Sequence, residues 1–247
     1  MTAPIPRDIP DLPAVPMPSR SLLPSPVPAR AVVPPVRRPL AATYRLLLAA
    51  TAVASAAAEL LLGSPTRVLS YFTIQSTLLL ALVTLASARR AWTARHPLPG
   101  AITGAALLYV VMAALVHHIL LADAKPAFSM TGETGLLETA AAHTLHTVLP
   151  VAALLDWLLL SPSGRMHIRQ ATTWMLYPLA YLAFTLVRGE LLPGNPAAYL
   201  YPFLDVTRDG YRSVLANALL VGLSFYALAV LLVALDHVRP NPDRRLR

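Results

Sequence analysis

The sequence contains no cysteine, and only 13% of its 247 residues are charged. The absence of cysteine excludes a disulfide framework, a thiolate metal site and a cysteine nucleophile. Soluble domains carry about 25% charged residues, so this low charge excludes an ordinary soluble domain. The sequence also lacks a phosphate-binding glycine loop, a His-Glu-x-x-His zinc motif and a Gly-x-Ser-x-Gly nucleophile elbow. Any chemistry must therefore come from hydroxyl, imidazole and carboxyl groups.

Proline is concentrated in the first 39 residues, which hold twelve of the 24 prolines in the chain. Proline at this density removes backbone donors and favours extended polyproline conformations. Residues 1–39 are therefore predicted to form a disordered tail. The prolines also interrupt every apolar stretch that could form the core of a secretory signal peptide, so none is expected here.

Hydrophobic residues make up 56% of the chain, and they cluster in six long runs. Each run has 21 to 25 residues, and at about 1.5 Å per residue such a helix spans the ~30 Å hydrocarbon core of a bilayer. Because lipid cannot satisfy backbone polar groups, each run must be helical. The prediction is an all-α integral membrane protein, a six-transmembrane-helix bundle over residues 40–236 followed by a basic tail, 237–247. The predicted spans are 40–62, 68–88, 101–122, 136–160, 171–192 and 213–235.

The net charge of +8 is unevenly distributed between the two sides of the predicted bundle. If the N terminus is cytoplasmic, fourteen arginines lie on that side and five basic residues lie on the other. By the positive-inside rule, both termini are expected to be cytoplasmic. A cytoplasmic arginine bias and the attraction of arginine to anionic lipid headgroups explain the basic net charge. Membrane lipids are therefore the expected partners, and nucleic acid is not. Oligomeric state stays open.

The fourth predicted span carries the most suggestive polar residues. Ionisable groups inside a membrane are costly and therefore mark candidate functional sites. His143 and His146 are three residues apart and are expected to share a helix face. Pro150 lacks the amide that would bond the His146 carbonyl, so a kink that frees this oxygen is expected. His146 is thus a candidate reactive or ligand group, or else a hydrogen-bonding contact to a neighbouring helix.

The second predicted span carries a stripe of hydroxyl side chains that is expected to face the bundle interior. Such hydroxyls usually bond a backbone carbonyl of their own helix, so the stripe alone favours a packing role. Its members are Thr73, Ser76, Thr77 and Thr84. The third span ends in His117 and His118, where hydrated interfacial histidines are expected. The supporting polar candidates are Gln75, Ser76, His143, Tyr177 and Asn217.

Three segments carry a resemblance to a known family. They are Tyr71-Phe72-Thr73, His143-Thr-Leu-His146-Thr-Val-Leu-Pro150 and Tyr201-Pro202-Phe203-Leu204. Together they resemble the androgen-induced-protein family of six-span membrane proteins, and more closely its bacterial relatives, known as predicted six-transmembrane integral membrane proteins. The resemblance covers residues 40–236. Animal members are intramembrane threonine hydrolases that cleave fatty acid esters of hydroxy fatty acids.

The resemblance implies that Thr73 is a nucleophile and His146 its base, without a metal or other cofactor, acting on a lipid ester. It also implies a multi-pass protein of the bacterial plasma (inner) membrane. A threonine hydroxyl needs a neighbouring base to take its proton, and a neutral histidine can do so. No acid stands close enough to orient His146, so a hydroxyl, a carbonyl or His143 would have to do so. Oxyanion donors are expected among side chains, because helical amides are already bonded. The candidates are Gln75, Ser76, Tyr177 and Asn217.

Two other functions remain open, and so does the question of whether the protein is an enzyme. Histidines on the third and fourth helices could ligate haem or a metal between them. Alternatively, the polar cluster could line the cavity of a lipid-binding or transport protein that performs no catalysis. The two halves of the chain show no visible repeat, which weakens an inverted-repeat transporter interpretation.

Overall fold

The computed structural model describes residues 36–122, 128–132, 135–195 and 197–240, and this part of the chain is helical without a strand. The main helices in chain order are α1 (Pro39–Leu62), α2 (Phe72–Trp92), α3 (Gly100–Leu120), α4 (Leu136–Leu160), α5 (Ile168–Trp174), α6 (Leu176–Leu191) and α7 (Val206–Val238). A short helix, Pro65–Val68, and a 3-10 turn, Pro202–Leu204, lie in two of the connections. Most of the predicted N-terminal tail and residues 241–247 of the basic tail lie outside the described residues.

Five of these helices are long and apolar enough to cross a membrane: α1, α2, α3, α4 and α7. Their outer faces carry many large apolar side chains, and Leu219 and Leu220 of α7 are 64% and 65% exposed. Such exposure is unfavourable in water, whereas hydrocarbon covers it without penalty. The predicted fold class, an all-α membrane helix bundle, is confirmed.

The predicted span 171–192 corresponds to two helices, α5 and α6, rather than one. They meet at Met175, whose φ of −73° and ψ of −15° tighten the turn. Pro178 has no amide to donate to the Trp174 carbonyl, and that oxygen accepts a hydrogen bond from the Tyr109 hydroxyl at 2.9 Å instead. Because neither helix reaches 18 residues, the count of six spans stays a prediction.

The second predicted span is displaced by four residues, from 68–88 to 72–92. The segment before it is a short helix and a turn that fold into the bundle, so that Val68 and Tyr71 are 0% and 1% exposed. A hydropathy run cannot separate such a buried connection from the helix that follows. As a result, Thr73 is the second residue of α2 rather than the sixth residue of the predicted span.

Buried charges tie together one end of the bundle, which we call the arginine end and define by Arg45, Arg165 and Arg239. Arg45 of α1 donates to the Asp156 carboxylate of α4 at 2.8 Å, with both side chains largely buried. Near the end of α7, Asp236 accepts from the Arg165 amide at 2.7 Å and pairs with Arg239 at 2.9 Å. The sequence does not predict the contacts of Arg45 with Asp156 or of Arg165 with Asp236, because these partners are far apart along the chain.

Candidate functional site

His146 lies where α4 departs from regular α-helix. Residues Thr144–Val148 form a π-helical turn just before Pro150, and π turns inside α-helices often occur at functional sites. The His146 carbonyl accepts a hydrogen bond from His118 Nε2 at 3.2 Å. This agrees with the expectation that Pro150 leaves the carbonyl without a helical partner.

The structure brings Thr73 and His146 into contact. Thr73 Oγ1 lies 3.4 Å from His146 Nε2, and the two residues are 3% and 2% exposed. His146 Nδ1 lies 2.9 Å from the Ala142 carbonyl oxygen. Because a carbonyl only accepts, we assign the proton to Nδ1, which leaves the lone pair of Nε2 facing Thr73. A carbonyl, one of the three alternatives considered, therefore orients the imidazole.

Two further histidines fix the surroundings of His146. The ring of His117 stacks on the ring of His146, with centroids 3.8 Å apart and planes inclined by 12°. His118 Nε2 lies 3.1 Å from Thr147 Oγ1 as well as near the His146 carbonyl. These contacts hold α3 against α4 at the site. Hydrated interfacial histidines were the expectation for this pair. His118 is exposed and His117 is half-buried, and both lie in the π-helical turn Val116–Leu120 while contacting α4.

The haem or metal interpretation gains no support from His146, because its two ring nitrogens already face Thr73 and the Ala142 carbonyl. Across the described residues, no three His, Asp or Glu side chains are grouped closely enough to hold an ion. The carboxyl of Glu138 is also engaged elsewhere, as the acceptor of a hydrogen bond from Ser129.

The N terminus of α2 supplies backbone donors beside Thr73. The first amides of an α-helix have no acceptor within the helix, and here the first intrahelical bond runs from the Gln75 amide to the Tyr71 carbonyl at 3.2 Å. The Phe72 amide points to the Tyr181 hydroxyl at 3.2 Å. Because α2 begins at Phe72, the amides near Thr73 are engaged by tyrosine hydroxyls rather than by carbonyls of their own helix.

Tyr201 completes the polar surroundings of Thr73. Its hydroxyl interacts with the Thr73 side chain and with the backbone of Phe72 and Thr73. Its ring packs edge-on against Tyr71 at 5.6 Å and stacks on Phe128 at 5.8 Å. Burial raises the pKa of Tyr201 to about 12, so the hydroxyl keeps its proton and remains a donor. From the sequence alone this residue belongs to a short motif without an assigned role.

Three of the supporting candidates bond elsewhere. The Tyr177 hydroxyl donates to Gln75 Oε1 at 2.6 Å, and Gln75 Nε2 donates to the Leu69 carbonyl at 3.0 Å. Ser76 Oγ donates back to the Thr73 carbonyl at 3.0 Å. The predicted role of these three side chains as oxyanion donors is not supported, since their donor groups are directed at other acceptors.

His143 and Asn217 are not brought to the Thr73–His146 pair. His143 is exposed although it lies three residues before the buried His146, because the π turn that follows it rotates less per residue than an α-helix. Asn217 is half-buried on α7 and makes no hydrogen bond to Thr73 or His146 within the described chain. The sequence thus shows which polar residues of a membrane helix are candidates for a functional site, but it does not show which residues they contact.

An apolar groove of about 480 Å³ lies between α6 and α7 beside Phe72 and Tyr201. Its walls include Leu179, Leu182, Phe203, Leu219, Leu223 and Phe225. Because Tyr201 lines the groove and its hydroxyl reaches Thr73, one end of this groove lies next to the polar site. The arrangement places the Thr73–His146 pair, the Tyr201 hydroxyl and an apolar groove next to one another.

No known protein family, curated protein or solved structure matches this chain. A proposal about function therefore depends on the geometry around Thr73 and His146 and on the resemblance of the three short motifs.

Proposed function

We propose that this protein is an intramembrane hydrolase of lipid esters in which Thr73 is the nucleophile and His146 the general base. One observation carries the proposal: His146 Nε2 faces Thr73 Oγ1 while Nδ1 faces a backbone carbonyl. This is the tautomer that a base needs in order to accept a hydroxyl proton. A separation of 3.4 Å is long for such a bond, as is common before substrate is bound.

The reaction uses the two side chains twice. Thr73 Oγ1 attacks the ester carbonyl carbon while its proton passes to His146 Nε2, and the imidazolium then protonates the departing alcohol. This leaves an acyl group on Thr73. A water molecule attacks the acyl carbonyl, giving its proton to His146, which returns it to Thr73 as the free acid leaves.

Negative charge on the carbonyl oxygen needs donors that are already in place. We assign this role to the Tyr201 hydroxyl, which lies beside Thr73. The positive end of the α2 dipole adds to its effect. Fixed donors of this kind contribute most in a site from which water is excluded, and burial of Thr73 and His146 meets that condition.

Purified protein in lipid nanodiscs tests the proposal with a panel of fatty acid esters and with fluorophosphonate labelling. Thr73→Ala and His146→Gln are expected to abolish hydrolysis, and Thr73→Ala also removes the label. Thr84→Ala is the matched control, because Thr84 is a buried hydroxyl on the same helix that bonds the Leu80 carbonyl at 2.7 Å. Hydrolysis that persists in Thr73→Ala would contradict the proposal.

A second function is favoured by the groove, namely lipid binding without turnover. The apolar walls suit an acyl chain whether or not an ester is cleaved. The same panel of esters separates the two functions. A protein that only binds lipid hydrolyses none of the esters, either as wild type or as Thr73→Ala, and the two proteins bind lipid with equal affinity.

A further inference from the structure

The groove between α6 and α7 is about as long as one acyl chain in a bilayer. Its wall on α7 runs from Leu215 to Tyr226, which is about 17 Å along a helix that rises 1.5 Å per residue. One leaflet of a ~30 Å hydrocarbon core is about 15 Å thick. The groove therefore matches a single extended chain rather than a bulky cofactor.

The chemistry of the walls also selects such a ligand. Apart from tyrosine hydroxyls, the side chains that line the groove are apolar, and none carries a charge. Tyr201 stands at the end near Thr73, where an ester group would need a hydrogen-bond donor, whereas the Tyr181 hydroxyl there already donates to the Ser70 carbonyl at 3.0 Å. The groove thus has one end suited to an uncharged ester and a body suited to hydrocarbon.

Gly222 lies in the α7 wall and keeps the groove wide. A Cβ atom added at Gly222 meets no neighbour within 4 Å, whereas at Gly104 it lies 2.6 Å from Trp174 and at Gly189 it lies 2.2 Å from Tyr199. Gly104 and Gly189 therefore allow a neighbouring side chain to pack closely, whereas no side chain packs closely against Gly222. Glycine inside a helix is less stable than alanine. Because no neighbour requires a glycine at position 222, we infer that its role is to leave space in the groove.

We propose that this groove binds one acyl chain of a membrane lipid ester, which enters from the side through the gap between α6 and α7. Gly222 sets the longest chain that the groove accepts. The position of the ester carbonyl at Thr73 rests on the proposed hydrolase function, whereas binding of the chain does not. Gly222 lies about 10 Å further along α7 than Leu215, so a short chain ends before it and a long chain passes it.

Hydrolysis of butyryl and palmitoyl esters of one alcohol tests the specificity. Gly222→Phe is expected to lower kcat/KM for the palmitoyl ester about tenfold and to leave the butyryl ester nearly unchanged. Ala216→Phe is the matched control, because Ala216 is exposed on the same helix and does not line the groove. Gly222→Leu provides a smaller obstruction if the phenylalanine variant does not fold. Equal losses for both esters in a folded Gly222 variant would overturn the role of this residue.

Photo-crosslinking separates failure of the groove from failure of the hydrolase. A palmitoyl ester with a diazirine on its chain is added to Thr73→Ala in nanodiscs, and labelled residues are mapped by mass spectrometry. Labels at Leu182 and Phe225, lost in the Thr73→Ala/Gly222→Phe double variant, would support the acyl site even if wild-type protein hydrolyses no ester. Labels confined to outward-facing residues such as Leu220 would overturn it, even if hydrolysis depends on Thr73.

Discussion

At the scale of single residues, the notable feature is how the imidazole of His146 is oriented. A carboxylate usually performs this task and also stabilises the imidazolium that forms during the reaction. Here the Ala142 carbonyl accepts a hydrogen bond from Nδ1, and the ring of His117 stacks on the imidazole. A neutral orienting group avoids placing another charge inside the membrane, where an ionised carboxylate is costly.

Tyr201 is expected to act on the rate rather than on binding. Tyr201→Phe removes the hydroxyl beside Thr73 but keeps the ring that packs on Tyr71 and Phe128. If the hydroxyl stabilises the oxyanion, kcat falls about 10²-fold and KM changes little. Steady-state kinetics with a lipid ester in nanodiscs measure both constants.

Tyr109→Phe is the control for this variant. Tyr109 is also buried, but its hydroxyl donates to the Trp174 carbonyl, where α5 and α6 meet. Its loss should lower stability without a specific loss of kcat. Similar kcat values for the two variants would argue against a role for Tyr201 in the reaction.

The sequence predicts only part of this site. Three short motifs indicate Thr73 and His146, and Pro150 indicates the free carbonyl beside them. The contacts between the first amides of α2 and the tyrosine hydroxyls could not be predicted, because they depend on where the helix begins. The contact of Tyr201 with Thr73 joins residues 128 positions apart, and a single sequence contains no signal for such a pairing.

At the scale of helices, length and hydropathy predict α1, α3 and α4 to within two residues, because a continuous apolar run has no other stable conformation in lipid. Length and hydropathy do not predict the helix boundaries where a single proline or a buried turn interrupts an apolar run. Pro178 divides the fifth run, and the buried turn before Phe72 shortens the start of the second. The predicted 213–235 run lies within the longer α7, whose backbone turns at Gly210, with a φ of 71° that favours glycine.

The ion pair between α1 and α4 is expected to contribute strongly to stability. Arg45→Ala leaves the Asp156 carboxylate largely buried without its partner, which typically costs about 3–5 kcal/mol. Thermal unfolding in detergent measures the loss as a lowered Tm. Arg45→Leu combined with Asp156→Leu should recover much of it, because neither charge then remains.

Arg208→Ala is the comparison for this prediction. Arg208 and Asp209 also form an ion pair, at 3.8 Å, but their side chains are 72% and 36% exposed. Exposed pairs contribute about 0–1 kcal/mol, so this variant should unfold close to the wild-type Tm. Equal shifts in Arg45→Ala and Arg208→Ala would show that burial of the first pair has no special effect.

At the scale of the whole molecule, the two ends of the described bundle contain different kinds of polar residues. The arginine end contains the networks around Asp156 and Asp236, and the opposite end contains Thr73 and Tyr201. The arginine bias predicts that the arginine end faces the cytoplasm. Thr73 then lies nearer the opposite surface of the membrane.

The absence of cysteine makes this orientation simple to test, because each introduced cysteine is the only one in the chain. His96→Cys and Pro193→Cys place exposed thiols near opposite ends of the bundle. In intact cells, a membrane-impermeant maleimide is expected to label Pro193→Cys alone, and permeabilised cells should show both labels. The reverse pattern would contradict the predicted orientation.

Under the proposed hydrolase function, the position of the groove also changes what substrate concentration means for this protein. A groove whose opening lies between two membrane helices samples the lipids beside it rather than molecules dissolved in water. The quantity that governs its occupancy is then the fraction of bilayer lipid that carries the ester. The composition of the surrounding membrane thereby becomes a kinetic variable, and inert lipid acts as a diluent even when the total amount of ester is constant.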